Sequence, residues 1–306
     1  MATQPSLLSI ITPCLNRAAT IRQAIESVLN QDYSPVEHII VDGGSTDGTL
    51  GILKQYPHLH VISEPDQGLY DALNKGIRAA HGEIIGQLNS DDLYAPAVFA
   101  EVMQWFAAHP TSDAVVGGAT VFAEQGTELS ILHRYPPICP ETFLEQITSG
   151  VAIFNAWFFR KILFDRFGGY QTHYKAAADR DFLIRLANER LNFGQIEKTV
   201  YQYRQHAGSL TINPTGEGAG IIRGEYLTVA KNHFLSAHSL PAVQTACKAW
   251  YRKEALDTAA WYLYQGKLLP ALIFIARGWR YDAAFPLAML KRFWQALKRR
   301  ISKKQK

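Results

Sequence analysis

The sequence predicts an α/β protein with a mostly parallel central sheet flanked by helices and a helical C-terminal extension. Two observations carry this. Over the first hundred residues, short and almost wholly apolar runs that end in polar loops alternate with stretches of helical periodicity. From Ile221 onward the strand-like runs stop and only helical patterning remains. A hydrophobic content of 47% over 306 residues is that of a globular chain with a sizeable core, so disorder is not expected.

The elements follow in order. Leu7 to Thr12, closed by Pro13, has the composition of a strand buried on both faces. Asn16 to Asn30 is expected to be helical, with Ile21, Ile25, Val28 and Leu29 on one face and Thr20 as its cap. Glu37 to Val41 is a second strand, Leu50 to Tyr56 a short helix and His60 to Ser63 a third strand. Gly68 to His81 is a helix, Glu83 to Leu88 a fourth strand, and Ala97 to Ala108 a helix that turns Val98, Val102, Trp105 and Phe106 inward. The pattern then changes to a hairpin, Asp113 to Ala123 and Leu129 to Tyr135, joined by a polar turn. Pro136, Pro137 and Pro140 mark a loop, Glu141 to Ile147 a short helix and Asp179 to Asn188 an amphipathic one. Gly208 to Gly220 is a loop rich in Gly, Pro, Thr and Ser.

Composition narrows the setting. Three scattered cysteines, Cys14, Cys139 and Cys247, fit neither a disulfide framework nor a cysteine-based zinc site, and they suit a reducing, cytoplasmic compartment. No signal-peptide pattern opens the chain, and no apolar run approaches a membrane span. Eight basic residues and no acid lie between Lys291 and Lys306, so the +4 of the whole chain leaves −4 for the preceding 290 residues. Phe285, Met289, Phe293, Leu297 and Ile301 recur every four residues in this tail. That is the pattern of an in-plane helix on an anionic membrane surface at the inner face, and also of a helix packed on the body with a solvated basic face. Nucleic-acid binding has no supporting motif.

Several polar clusters sit where strands end. Asn89-Ser90-Asp91-Asp92 follows the fourth strand, where an open sheet binds ligands and where carboxylates suit Mg²⁺ or Mn²⁺ holding a diphosphate, although the same residues also form an ordinary turn. Asp42 ends the second strand before two glycines; it can accept hydrogen bonds from a base or ribose, or cap the next helix together with Asp47. The loop after the first strand lacks Gly-x-Gly-x-x-Gly, which disfavours a dinucleotide site.

Ser9 to Arg17, Ser27 to Tyr33 and Ile39 to Thr49, followed by Asp66 to Gly76 and Leu88 to Asp92, resemble, in this order, the blocks of family 2 glycosyltransferases with the GT-A fold. The resemblance spans roughly residues 7 to 212 and implies that fold. It implies a domain at 1–220, with a nucleotide-binding half at 1–110 and an acceptor half at 111–220, before the helical extension at 221–306. Pro13 and Asn16 would border the nucleotide, Asp42 would bond base or ribose, and the segment carrying Asp66, Asp71 and Lys75 would lie along the nucleotide sugar. Asp91 would sit near ribose or donor sugar and Asp92 would ligate a divalent metal, Mg²⁺ or Mn²⁺. Asn89 stands where many members have Asp, and Leu73 where the related block has Arg. Ala177 to Leu186 resembles the start of the acceptor-side helix, which makes Asp179 the base of an inverting transfer, with Asp181 the competing choice. Tyr203 to His206 resembles the closing segment, with Arg204 on phosphate and His206 on phosphate or metal. Trp157, ahead of Phe158 and Phe159, fits an acceptor wall or core packing.

The expected activity is transfer of a sugar from a nucleotide-diphosphate donor to a hydroxyl of a glycan or lipid-linked oligosaccharide in cell-surface polysaccharide synthesis. A nucleotidyltransferase on a similar sheet and a non-catalytic nucleotide-sugar or glycan binding module are the alternatives.

Overall fold

The computed structural model describes residues 5–125, 128–150, 153–206, 217–282, 285–287 and 289. It forms two compact units, Met1–Ala219 and Gly220–Lys306.

The first unit is built on a sheet whose N-terminal half is the alternating pattern read from the sequence. β1 (Leu8–Cys14), α1 (Ile21–Leu29), β2 (Val36–Asp42), α2 (Thr49–Leu53), β3 (His60–Ser63), α3 (Leu69–Ala79) and β4 (Ile84–Gln87) follow one another in the chain. All seven residues of β1 are buried, as a strand covered on both faces requires. In α1 the buried residues are Ile21, Ala24, Ile25 and Val28, the spacing of one helical face. Thr20 stands at the N-cap but makes no cap bond; its hydroxyl donates instead to the carbonyl of Ser90, 2.9 Å away, and so ties α1 to the loop after β4.

The chain continues through β5 (Leu93–Tyr94), α4 (Phe99–Ala108), β6 (Ala114–Gln125), β7 (Glu128–Tyr135), α5 (Phe143–Ser149), β8 (Trp157–Arg160), α6 (Ile162–Phe167), α7 (Ala178–Asn188) and β9 (Phe193–Arg204). The sheet order is β3-β2-β1-β4-β8-β6-β9-β5, with β7 paired to β6. β3, β2, β1 and β4 run parallel. β8 enters antiparallel between β4 and β6, while β6 and β9 are parallel to each other. The expected hairpin is β6–β7, antiparallel with a register shift at Val121/Phe122.

Trp157 is core and not an acceptor wall. It is 1% exposed in β8, and with Phe159 two residues on it shares one face of the strand, the rings stacked at 5.5 Å. Phe159 packs edge-on to Phe182 of α7, and Phe182 stacks on Phe164 of α6 at 4.8 Å. This aromatic cluster fixes the start of α7 against the middle of the sheet.

A second tie joins the two halves. Asn74 of α3 donates from Nδ2 to the carbonyl of Tyr170 and accepts from the Tyr170 backbone N–H at Oδ1, both at 2.8 Å. A side chain on Gly169 would collide with Asn74 Oδ1 at 2.2 Å, so only glycine admits this pairing.

The second unit contains α8 (Glu217–Leu235) from Gly220 onward, α9 (Pro241–Tyr264) and α10 (Leu268–Tyr281). Among the described residues no helix is long and apolar enough to cross a membrane. The loop at 208–220 is described only from Glu217, where helix begins, and the basic tail from Lys291 to Lys306 lies outside the described residues.

Replacing Asn74 with Ala removes both bonds and strands the Tyr170 carbonyl and N–H. Urea denaturation should show a loss of about 2–3 kcal/mol, whereas an exposed substitution such as Arg78→Ala should change stability by less than about 0.5 kcal/mol.

Candidate active site

The site is assembled from the loops at the carboxyl ends of β1, β2 and β4, where an open sheet leaves a crevice. At the end of β2, Asp42 is fully buried. Its Oδ2 accepts from the backbone N–H groups of Gly44 and Ser45, each at 3.1 Å, and from the Ser63 hydroxyl at 2.9 Å. Its Oδ1 is buried with no hydrogen-bond partner. Buried carboxylate oxygens are rarely left so, and an incoming N–H or O–H would satisfy this one. Pro13 is buried in β1 opposite Val41. Asn16 adopts a left-handed φ of 53° and accepts from the Thr46 N–H at 2.9 Å, binding the first loop to the second. Cys14 lies beneath them. Burial, and secondarily Asp42, pushes its thiol up to about 12, so it packs and does not react.

The Asp66–Gly76 segment runs beside this loop. Asp66 accepts from the Gly68 N–H at 2.8 Å and lies across Gly43, where an added Cβ would come within 2.5 Å of its Oδ2. Asp71 accepts from the Gln67 N–H at 3.1 Å. Lys75 pairs with Glu64 at 2.9 Å and donates to the Pro65 carbonyl, so this cation is turned back onto its own loop and not toward a phosphate.

After β4 the two adjacent aspartates separate. Asp92 is 1% exposed, and both its oxygens are engaged. Oδ2 accepts from the Tyr201 hydroxyl at 2.6 Å and the Asn89 amide at 3.0 Å; Oδ1 accepts from the Arg204 backbone N–H at 2.7 Å. Burial first, and the neighbouring Asp91 second, push its carboxyl up to about 7 against the pull of these three donors. Three donors thus hold Asp92 between the end of β4 and β9. Asp91 faces the other way. Its Oδ2 lies 3.1 Å from His206 Nε2 and 3.6 Å from Arg17 Nε.

Arg204 also differs from its expected role. It is 5% exposed, donates from Nε to the Asp91 carbonyl at 2.7 Å, pairs with Glu124 and Gln23, and sits 4.8 Å over the Phe122 ring. A guanidinium so enclosed clamps the strand end and is not presented to a phosphate. The cation beside Asp91 is Arg17, 42% exposed at its side chain, which the motif comparison did not assign.

For a divalent cation, Asp91 and His206 supply one carboxylate and one imidazole. Among the described residues no cluster of three or more His, Cys, Asp or Glu side chains exists. The pair fits an ion that completes its shell with diphosphate oxygens and water, as Mg²⁺ commonly does.

On the acceptor side, Asp179 is the second residue of α7, where the helix N-terminus favours a carboxylate. It is half-buried; Oδ1 accepts from the Arg180 N–H at 2.6 Å, and the Tyr70 hydroxyl also bonds the carboxylate. Burial raises its pKa above the usual carboxylate value, with Arg180 and the bond from Tyr70 opposing. Asp181 is 6% exposed and its carboxylate is paired with Arg185 at 3.0 Å, which leaves Asp179 as the carboxylate suited to proton transfer. Tyr70 packs against Tyr170, and Tyr170 is bonded by Gln87 at the end of β4. One strand thus positions both the Asp91 corner and the Asp179 wall. The motif blocks gave no role to Tyr70, which bonds Asp179, or to Tyr201, which bonds Asp92.

Comparison with known proteins gives the family and the fold. The family model described as Glycosyl transferase family 2 matches residues 9–168. A "PGL/p-HBAD biosynthesis glycosyltransferase" of Mycobacterium bovis is 33% identical over 214 residues, covering 66% of this chain and 78% of that protein. Among solved structures, the mannosyltransferase PcManGT from Pyrobaculum calidifontis in complex with GDP-Man and Mn²⁺ superposes with a TM-score of 0.61 at 20% identity, covering 95% of this chain and 79% of that one. TarS from S. aureus in complex with UDP-GlcNAc gives 0.55 at 16% identity, covering 92% of each chain. At these identities the structural matches speak for the fold alone, which is that of GT-A glycosyltransferases. With the family model spanning more than half of its length, the chain belongs to glycosyl transferase family 2 and is a glycosyltransferase.

Proposed function

We propose that the protein catalyses inverting transfer of a sugar from a nucleoside-diphosphate donor to a hydroxyl of a glycan or lipid-linked oligosaccharide in cell-surface polysaccharide synthesis. The observation that carries this reading is the pairing of a vacant, buried acceptor at Asp42 Oδ1 with an outward carboxylate and imidazole at Asp91 and His206. Asp42 takes an N–H or O–H of the base or ribose, with Pro13 and Asn16 bordering it, and the Asp66–Gly76 segment, including Asp71, lines the nucleotide sugar. Arg17 supplies positive charge on the diphosphate side. Asp91 and His206 would hold a divalent metal, which would offset the charge of the leaving diphosphate.

Asp179 deprotonates the acceptor hydroxyl as its oxygen attacks the anomeric carbon. The carbon–oxygen bond to the diphosphate breaks in the same displacement and the configuration inverts. A raised pKa suits this, since a base works best with a pKa near the operating pH. The mycobacterial relative is described as a glycosyltransferase of PGL/p-HBAD biosynthesis, which supports sugar transfer in a biosynthetic setting. The tail from Lys291 to Lys306, with its eight cations, would hold the enzyme at the anionic inner face of a membrane.

Asp179→Asn should lower turnover by about 10²- to 10⁴-fold while leaving the thermal shift given by the nucleotide sugar intact. Because the base must be ionised, activity should fall as pH drops through the raised pKa of Asp179. In Tyr70→Phe, which removes a bond to the ionised form, that acid limb should move to higher pH. An unchanged limb in Tyr70→Phe removes Tyr70 from the reading.

Asp42→Ala should weaken nucleotide binding by about 10-fold or more in calorimetry with UDP and GDP. Equal affinity would place the base elsewhere.

A further inference from the structure

Among its described residues the second unit exposes an apolar face that packing between α9 and α10 does not cover. α10 packs on α9, with the Phe274 ring stacked on Tyr262 of α9 at 5.6 Å; Ala271 and Gly278 on the same side are buried, Gly278 against the Phe285 ring. The opposite face of α10 carries Leu269, Leu272, Ile273, Ala276 and Arg280, at the i, i+3, i+4, i+7, i+11 spacing of one helical stripe. Leu269 is 72% exposed, Leu272 50% and Trp279 beside them 63%. On either side of the turn that leads into the helix, Tyr264 at the end of α9 is 90% and Leu268 at the start of α10 62% exposed. Ordinary amphipathic helices bury such a stripe. Clusters of exposed large apolar side chains with a polar rim mark interaction sites.

Charge says what this face meets. From Thr258 to Tyr281 there is no Asp or Glu, while Lys267, Arg277 and Arg280 stand along the helix and its entry turn. Arg280 ends the stripe and, with Lys248 and Tyr281, lines an open groove of about 450 Å³ in the same unit. Two cations beside a groove at the end of an apolar stripe match an anionic headgroup above acyl chains, with Trp279 and Tyr264 as interfacial aromatics. A second copy of the chain would bring like charges together, with no acid in this segment to answer them.

We propose that the outer face of α10 is a membrane-docking surface, which seats in the interface of an anionic phospholipid bilayer and takes lipid phosphate between Lys248 and Arg280. This surface is distinct from the basic tail, and it does not depend on which sugar or acceptor the enzyme uses.

The test is co-sedimentation of the full chain, without donor, with phosphatidylcholine vesicles that contain or lack phosphatidylglycerol. Wild type should bind the anionic vesicles. Leu269→Gln/Leu272→Gln, which alters only outward side chains, should reduce binding by about tenfold or more, with an unchanged melting temperature and unchanged donor hydrolysis. Lys248→Gln/Arg280→Gln should lower binding to the anionic vesicles only. Phospholipid brominated on its acyl chains should quench tryptophan fluorescence in wild type and in Trp294→Phe, and lose that quenching in Trp279→Phe. Equal vesicle binding by the leucine variant, with quenching retained in Trp279→Phe, would overturn the proposal and assign any membrane binding to the tail. A wild type that ignores vesicles but dimerises through the leucines in sedimentation velocity would overturn it as well.

Discussion

The carboxylate of Asp92 is the constraint on which the site depends. It reaches from the loop after β4 to the end of β9 and accepts three hydrogen bonds, from Tyr201, Arg204 and Asn89. A buried carboxylate is costly, and the rise of its pKa to about 7 registers that cost. What the arrangement secures is geometry. With Asp92 turned inward, Asp91 must turn outward, and the end of β9 is brought close enough for His206 to meet it. Arg204 reinforces the same junction through the Asp91 carbonyl, Glu124 and Gln23. The donor corner is therefore a closed loop of contacts between segments more than a hundred residues apart.

The sign of the Asp92 shift has a consequence for stability. A carboxyl whose folded pKa lies above its unfolded value is favoured in its neutral form, so its contribution is complete below the unfolded value and declines as pH rises through about 7. Asp179 is raised in the same direction by burial. The site thus keeps two carboxylates poised above their ordinary range, one in a structural role and one suited to proton transfer, and stability is given up where chemistry is placed.

Much of this was legible in the sequence. The alternation from β1 to β4 is visible because each buried strand is a short apolar run closed by a turn; Asp42 could be placed because it ends such a run, and the helix that carries Asp179 because its segment resembles the start of the family's acceptor-side helix. The division of labour between Asp91 and Asp92 was not legible. Two neighbouring acids look alike until β9 arrives, and β9 mixes polar and apolar residues and pairs with β6 through register shifts, a long-range fact that no local period encodes. Where Arg204 and Lys75 point was not legible for a related reason: a cation near an acidic motif suggests phosphate, while in the fold Glu124 pairs with the one and Glu64 with the other. Trp157 and its neighbours were ambiguous between wall and core because aromatic composition alone does not say which face of a strand is covered.

The measurement that bears most directly on this account is the position of the metal. Crystals grown with Mn²⁺ and a nucleoside diphosphate, with data collected at the manganese edge, should give an anomalous peak within coordination distance of the Asp91 carboxylate and the His206 imidazole, with Asp92 still bonded to Tyr201. A peak coordinated by Asp92, with the Tyr201 and Arg204 bonds broken, would contradict it.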